Sequence, residues 1–141
     1  MLVSATSLDA KMRVEPLWLI TGDGREQQIE VEVAAEPDEK RVGLMFRTHL
    51  ADGKGMLFPY NTPQDVTMWM RNTYIPLDMV FIRADGVVHR IEKRAEPMSE
   101  RIIASEGPVT AVLELAGGAT DRLGLKAGDR VRHRHFSPSG P

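Results

Sequence analysis

Apolar and polar residues alternate in several segments of the chain, with the period of two that is typical of β-strands with one buried face. Ile29, Val31 and Val33 alternate with glutamates. The apolar run 17–20 precedes them, and the turn sequence Thr-Gly-Asp-Gly lies between the two segments. This pattern predicts a β-hairpin with one solvent-facing side. Similar runs predict further strands at 56–58, 66–70, 77–82, 87–91, 109–115 and 130–134.

Helical spacing is confined to two short segments. Pro37 and its acidic neighbours suit the first turn of a helix. Val42, Met45 and Phe46 then recur at the i, i+3, i+4 spacing of a buried helix face. The spacing predicts one helix over 37–46, and a second short helical turn is predicted within 118–125.

The order of these elements restricts the fold class. About eight short strands with short connections exclude a sheet of βαβ units, because each parallel crossover needs a helix of about a dozen residues. The strand 77–82 is apolar on both faces except at Asp78, so both faces are expected to be covered. Asp85-Gly86 predicts a tight hairpin directly after this strand. The predicted fold is mostly β (α+β): a compact, β-barrel-like curled sheet with one or two short helices.

A single domain accounts for the chain of 141 residues. We expect a flexible leader over 1–16, one β-rich domain over 17–135 and a disordered tail over 136–141. The leader has neither an apolar h-region nor a long hydrophobic run, so it is neither an intact signal peptide nor a membrane span. The sequence does not define a cellular location, and a periplasmic or envelope protein would result if an export signal had been removed.

Composition and charge exclude several classes of function. The net charge is -2, and no strongly basic surface is expected, so we predict no nucleic-acid partner. The absence of cysteine excludes disulfides, thiolate metal sites and cysteine nucleophiles. The eight methionines fit core packing better than a Cu(I) site, so neither a metal nor a cofactor is expected. No nucleophile elbow or complete phosphate-binding loop is present.

Five short blocks carry a resemblance to a known family. They are GLMFR at 43–47, GMLF at 55–58, MWMRNT at 68–73, IPLD at 75–78, and LE at 113–114 followed by GD at 128–129. In this order and spacing they resemble the uncharacterised family called domain of unknown function 192, over roughly residues 29–131. The resemblance implies a compact β-rich single domain and no particular activity. Many relatives carry an export signal or lipid anchor, and many have lysine where this chain has Arg71.

A polar group of residues near position 70 is the best candidate for a functional site. Alternation along the strand places Thr67, Trp69 and Arg71 on one face. Trp69, Arg71, Asn72 and Asp78 form the predicted ligand-binding site, in which an aromatic surface and a cation hold a small anionic ligand. The structural alternative is that Trp69 packs in the core and Arg71 stacks or pairs with Asp78 to hold the hairpin. No catalytic residue is assigned.

Two carboxylates have apolar neighbours in the sequence, Asp78 and Glu114. A buried carboxylate requires a partner. Arg47 and Arg71 are the cations expected to supply it, and a backbone amide is the alternative partner for Glu114. Arg47, Glu114 and Asp129 are predicted to be structural polar residues. In a second interpretation, Asp78 and Glu114 are the acid/base pair of a hydrolase-like enzyme, with Arg71 beside them.

The predicted function is a non-enzymatic, β-barrel-like module that binds a small molecule or a protein partner near the hairpin between Trp69 and Asp78. The hydrolase-like enzyme is the alternative. No membrane span is expected. The sequence leaves open the identity of the ligand and the oligomeric state.

Overall fold

The computed structural model describes residues 12–137, which contain nine β-strands and two short helices. The strands are β1 (Val14–Ile20), β2 (Glu26–Val33), β3 (Lys54–Gln64), β4 (Thr67–Met68), β5 (Leu77–Ile82), β6 (Val88–Ala95), β7 (Ile103–Ala104), β8 (Val109–Ala116) and β9 (Arg130–Arg132). Helix α1 (Pro37–Val42) follows β2, and helix α2 (Ala119–Leu123) follows β8.

Seven strands form one curled sheet in the order β6-β5-β8-β3-β2-β1-β9. Neighbouring strands are antiparallel except β2 and β3, which run parallel and are joined through α1. The two edges approach each other where Val87 pairs with Arg130 and the Val88 N–H donates to the Asp129 carbonyl at 2.8 Å. The curled sheet is a half-barrel, and these two contacts link its edges. The short strands β4 and β7 pair with each other outside it.

Hydrophobic cores lie on both faces of this sheet. The inner core, within the curl, contains side chains from all seven strands together with Leu125 and Phe136. The outer core covers β3, β5 and β8, where Leu44, Met70 and Ile103 pack over the sheet. All six residues of β5 are buried as a result, as predicted for a strand covered on both faces.

The predicted fold class is confirmed as a mostly β, compact single domain with a curled sheet and two short helices. The two predicted hairpins are the antiparallel pairs β1–β2 and β5–β6. The helix predicted over 37–46 ends at Val42, because Gly43 takes φ 50° and ψ -128° and leaves the helical path. The predicted apolar helix face is wrong, since Val42 and Phe46 are 39% and 56% exposed.

The ends of the predicted domain differ from the observed elements. Strand β1 begins at Val14, inside the predicted leader, because residues 14–16 continue the pairing with β2. Phe136, the first residue of the predicted tail, is buried in the inner core. The rest of the predicted leader, residues 1–11, and residues 138–141 of the predicted tail lie outside the described residues.

Candidate functional site

A cavity of about 550 Å³ lies against the outer face of β3 and β8. Phe58, Tyr60 and Glu114 form its inner wall on the sheet. Residues of α1 and of the turn after it form one outer wall, and the segment 67–73 forms the other. The volume is within the range of about 300–1,000 Å³ that is usual for small-molecule sites.

Glycine at position 43 favours the close approach of the turn after α1 to the sheet. Gly43 has a positive φ of 50°, and a Cβ atom there would lie 3.2 Å from Cζ of Phe58. The following residues then turn toward the second outer wall, where the Phe46 N–H donates to the Asn72 carbonyl at 2.9 Å. This hydrogen bond connects the two outer walls of the cavity.

The turn at 70–73 is also held from the other side. The Met98 N–H donates to the Thr73 carbonyl at 3.0 Å, and the Met70 N–H donates to the Ser99 carbonyl at 2.9 Å. Phe46, Asn72 and Met98 all have positive φ, at 67°, 54° and 68°. Such conformations are unfavourable for residues other than glycine and persist where surrounding contacts enforce them. The outer walls are therefore a defined structure fixed by backbone hydrogen bonds.

Three of the four predicted ligand-binding residues line this cavity: Trp69, Arg71 and Asn72. The Trp69 side chain is not in the core, since the residue is 40% exposed, and the Arg71 guanidinium lies 5.3 Å from its ring centroid. Arg71 has only a long contact of 4.0 Å with Glu100. The Asn72 side chain makes no hydrogen bond to any described residue, so its amide group is available to a ligand.

Asp78, the fourth predicted residue, does not line the cavity. Its carboxylate accepts hydrogen bonds from the N–H groups of Arg94 at 2.8 Å, Gly118 at 2.9 Å and Thr120 at 2.9 Å, and from the Thr120 hydroxyl at 2.6 Å. These bonds fix the start of α2, where Gly118 has no side chain to cap the helix. The predicted pair between Asp78 and Arg71 is wrong, because backbone amides already satisfy the carboxylate.

Glu114 is on the inner wall, in the middle of β8. It is 4% exposed and lies between Met56 of β3 and Met79 of β5. The predicted burial is confirmed, but the predicted cationic or backbone-amide partner is wrong: the carboxyl group has no hydrogen bond or ion pair within residues 12–137. Burial raises the pKa of Glu114 to about 8, so the group is protonated and uncharged at neutral pH.

Glu114 lines the cavity, and the residue is 4% exposed. Asp78 lies on the other face of the sheet, since β-strand residues alternate and its neighbour Met79 is the one paired with Glu114. The two carboxylates cannot act together as an acid/base pair.

Three cationic side chains line the cavity: Lys40, Arg41 and Arg71. The Lys40 ammonium lies 4.9 Å from the centroid of the Tyr60 ring, and burial lowers the pKa of Lys40. Burial, together with the charge of Glu114 when it is ionised, raises the pKa of Tyr60. Perturbed titratable groups gathered at one cavity are characteristic of functional sites.

Comparison with known proteins agrees with the sequence blocks. The model of domain of unknown function 192, described as "Uncharacterized ACR", matches residues 19–133. The chain belongs to this family. It is similar to a protein of Sinorhizobium meliloti 1021 named "putative transcription regulator", with 43% identity, a TM-score of 0.88, and coverage of 91% of this chain and 99% of the other. A protein of unknown function from Novosphingobium aromaticivorans DSM 12444 gives 40% identity, a TM-score of 0.84 and coverage of 89% of both chains. No curated protein matches the chain.

The sequence did not identify Tyr60, Lys40 and Arg41 as residues of the cavity. Tyr60 continues the alternation of Met56 and Phe58 along β3, but Pro59 interrupts the apolar pattern and the predicted strand ended before it. That alternation was the available signal. The sequence has no comparable signal for Lys40 and Arg41, because charged residues in the last turn of a short helix usually face solvent.

The other predicted polar residues lie away from the cavity. Arg47 forms a two-point ion pair with Glu32 at 2.8 and 3.0 Å, rather than with Asp78 or Glu114. Asp129 accepts a hydrogen bond from the Lys126 N–H at 2.8 Å and closes the turn before β9.

Two further features of the family member concern metals and membranes. Within residues 12–137, no group of three or more His, Cys, Asp or Glu side chains is arranged to hold a metal ion. No helix in the same part of the chain is long and apolar enough to cross a membrane.

Proposed function

We propose that this protein binds a small organic anion in the cavity between α1 and the turn at 70–73. One observation carries the proposal: Lys40, Arg41 and Arg71 line the cavity, while Glu114, the one acidic residue known to line it, is uncharged at neutral pH. The described walls therefore carry an excess of positive charge. A concave surface lined by charges of one sign attracts a ligand of the opposite sign.

The aromatic residues support a ligand with a flat or apolar body. Phe58, Tyr60 and Trp69 border the cavity, and stacking on Trp69 restricts the Arg71 guanidinium before any ligand arrives. A planar guanidinium presents paired donors that match carboxylate or phosphate oxygens. The Asn72 side chain offers a further donor and acceptor beside it.

Two other functions are less well supported. The hydrolase-like reaction predicted from the sequence uses Asp78 and Glu114 as a pair, and Asp78 lies on the other face of the sheet. The Sinorhizobium protein is named "putative transcription regulator", but a net charge of -2 does not favour a nucleic-acid surface in this chain.

The test uses two probes of equal shape, the anion 2-naphthoate and its uncharged amide, 2-naphthamide. We expect calorimetry to detect 2-naphthoate binding to the purified protein, with at least tenfold weaker binding of the amide. Arg71→Ala should weaken 2-naphthoate binding by about tenfold, the loss expected for one charged hydrogen bond. Arg83→Ala is the matched control, because Arg83 is an exposed arginine outside the cavity.

The two tryptophans of the chain locate the binding site. The indole N–H resonance of Trp69 should shift on addition of 2-naphthoate. The resonance of Trp18 should not shift, because Trp18 lies on β1 beside Arg132 of β9 and does not line the cavity. Equal binding of the acid and the amide would overturn the proposal. So would an equal loss of affinity in Arg71→Ala and Arg83→Ala.

A further inference from the structure

Glu114 is a buried polar residue of the cavity wall without a partner for its carboxyl group. It is 4% exposed, it lines the cavity, and its carboxyl group has no hydrogen bond or ion pair in the described part of the chain. Leaving a buried polar group without a hydrogen bond is unfavourable. A ligand that supplies the missing hydrogen bond would therefore gain affinity at this position.

The elements around Glu114 determine what that ligand group must be. Strand β5 presents Met79 beside it, β3 presents Met56 and Tyr60, α1 presents Lys40 and Arg41, and the second outer wall presents Arg71. None of these cations forms an ion pair with the carboxyl group. These cations raise the positive potential of the cavity, and this potential disfavours a cationic group on the ligand.

A carboxyl group in this position is a hydrogen-bond donor. In its uncharged form it donates one O–H, whereas an ionised carboxylate can only accept. Because the cationic side chains belong to the two outer walls and Glu114 belongs to the inner wall, one ligand would meet both at different ends. The anionic group would bind at the outer walls, and an acceptor would face the sheet.

We propose that Glu114 donates a hydrogen bond to an uncharged carbonyl oxygen at the end of the ligand opposite its anionic group. The ligand class is then an organic anion with a separate carbonyl group, held between Arg71 and Glu114. This inference rests on the proposed function and adds the chemistry of the inner wall to it.

The experiment compares 2-naphthoate with 6-acetyl-2-naphthoate, which has a carbonyl acceptor at the far end of the ring. At pH 7 we expect the acetyl group to increase affinity for the wild-type protein by about tenfold, the effect of one well-formed hydrogen bond. At pH 9 this gain should disappear, since the ionised carboxylate cannot donate. The ratio of the two affinities cancels the effect of pH on Lys40, which acts on both probes.

Two variants of Glu114 separate hydrogen bonding from shape. Glu114→Gln retains a donor that does not titrate, so the gain from the acetyl group should persist at both pH values. Glu114→Leu removes the donor, so it should bind 2-naphthoate and show no gain from the acetyl group. A gain retained in Glu114→Leu would overturn the inference, as would a gain in the wild-type protein that is equal at pH 7 and pH 9.

A third probe tests the opposite ligand chemistry. With 6-(aminomethyl)-2-naphthoate, which carries an ammonium group at the far end, we expect weaker binding than with 2-naphthoate. Tighter binding would show that Glu114 ionises to pair with a cation, and would overturn the inference while leaving the proposed function intact. Failure of the protein to bind 2-naphthoate at all would overturn both proposals.

Discussion

At the scale of single residues, Asp78 and Glu114 have similar sequence surroundings and opposite roles. Both are buried on adjacent strands, and their side chains point to opposite faces of the sheet. Asp78 accepts four hydrogen bonds and holds α2 in place, while Glu114 accepts none from the described residues. The first carboxylate is therefore part of the scaffold, and the second is free to interact with a ligand.

Replacing Asp78 tests its structural role. In Asp78→Asn, one acceptor oxygen becomes an N–H₂ group that faces donors such as Thr120. We expect the free energy of unfolding to fall by about 3 kcal/mol, because buried donors lose their acceptor. Urea denaturation measures this change. The control Asp38→Asn should change it by less than about 0.5 kcal/mol, since Asp38 is highly exposed, and equal losses in both variants would contradict the assignment.

The burial of both carboxylates could be predicted from their apolar neighbours, but their partners could not. The donors to Asp78 lie 16, 40 and 42 positions further along the chain, and three of the four are backbone N–H groups, those of Arg94, Gly118 and Thr120. Every residue carries such a backbone donor, so the sequence has no signal for which one is used. Arginine partners were predicted because a sequence shows which side chains are charged, but it does not show which backbone groups or hydroxyls the fold brings to a carboxylate.

At the scale of secondary-structure elements, prediction succeeded where the pattern is local. A period of two identifies strands such as β2, and Asp85-Gly86 identifies the turn between β5 and β6. The end of α1 was missed because the apolar spacing continued past Gly43, although glycine is a common stop signal for helices. Strand β7 has two residues and exists by pairing with β4, so its own sequence carries little pattern.

The segment that connects α1 to the cavity depends on Gly43. In Gly43→Ala, the new Cβ atom would be 3.2 Å from the Phe58 ring, in a backbone conformation that alanine rarely adopts. We expect a loss of about 1–3 kcal/mol in the free energy of unfolding and weaker binding of 2-naphthoate, measured by urea denaturation and calorimetry. Gly53→Ala is the control, because Gly53 has nothing within 4 Å of the added atom. Unchanged stability and binding in Gly43→Ala would contradict this role.

At the scale of the whole molecule, the cavity is separated from the inner core by the sheet itself. The inner core joins the seven strands of the half-barrel, whereas the cavity lies between the outer face and the chain that covers it. Changes to the outer walls can therefore alter binding while the half-barrel stays folded. Glu114 is the exception, because it is part of the central strand β8 and its charge affects the stability of the whole sheet.

The last prediction is that Glu114 makes the stability of the molecule decrease with increasing pH. Its pKa is about 8 in the folded protein and 4.5 ordinarily. Below pH 4.5 the group is protonated in both states and has no effect. Between these values the unfolded chain releases the proton and the folded chain retains it, so the unfolded state gains about 1.4 kcal/mol for each pH unit. Above about pH 8 the full loss of stability is present.

Urea denaturation of the wild-type protein and Glu114→Gln at pH 4, 7 and 9 tests this linkage. Between pH 4 and pH 9 we expect the wild-type protein to lose about 4–5 kcal/mol more than the variant, since glutamine does not titrate. Glu96→Gln, at an exposed glutamate after β6, should behave as the wild-type protein does. Parallel pH profiles for the wild-type protein and Glu114→Gln would mean that Glu114 is ionised in the folded state, and the uncharged donor on the inner wall would be lost with it.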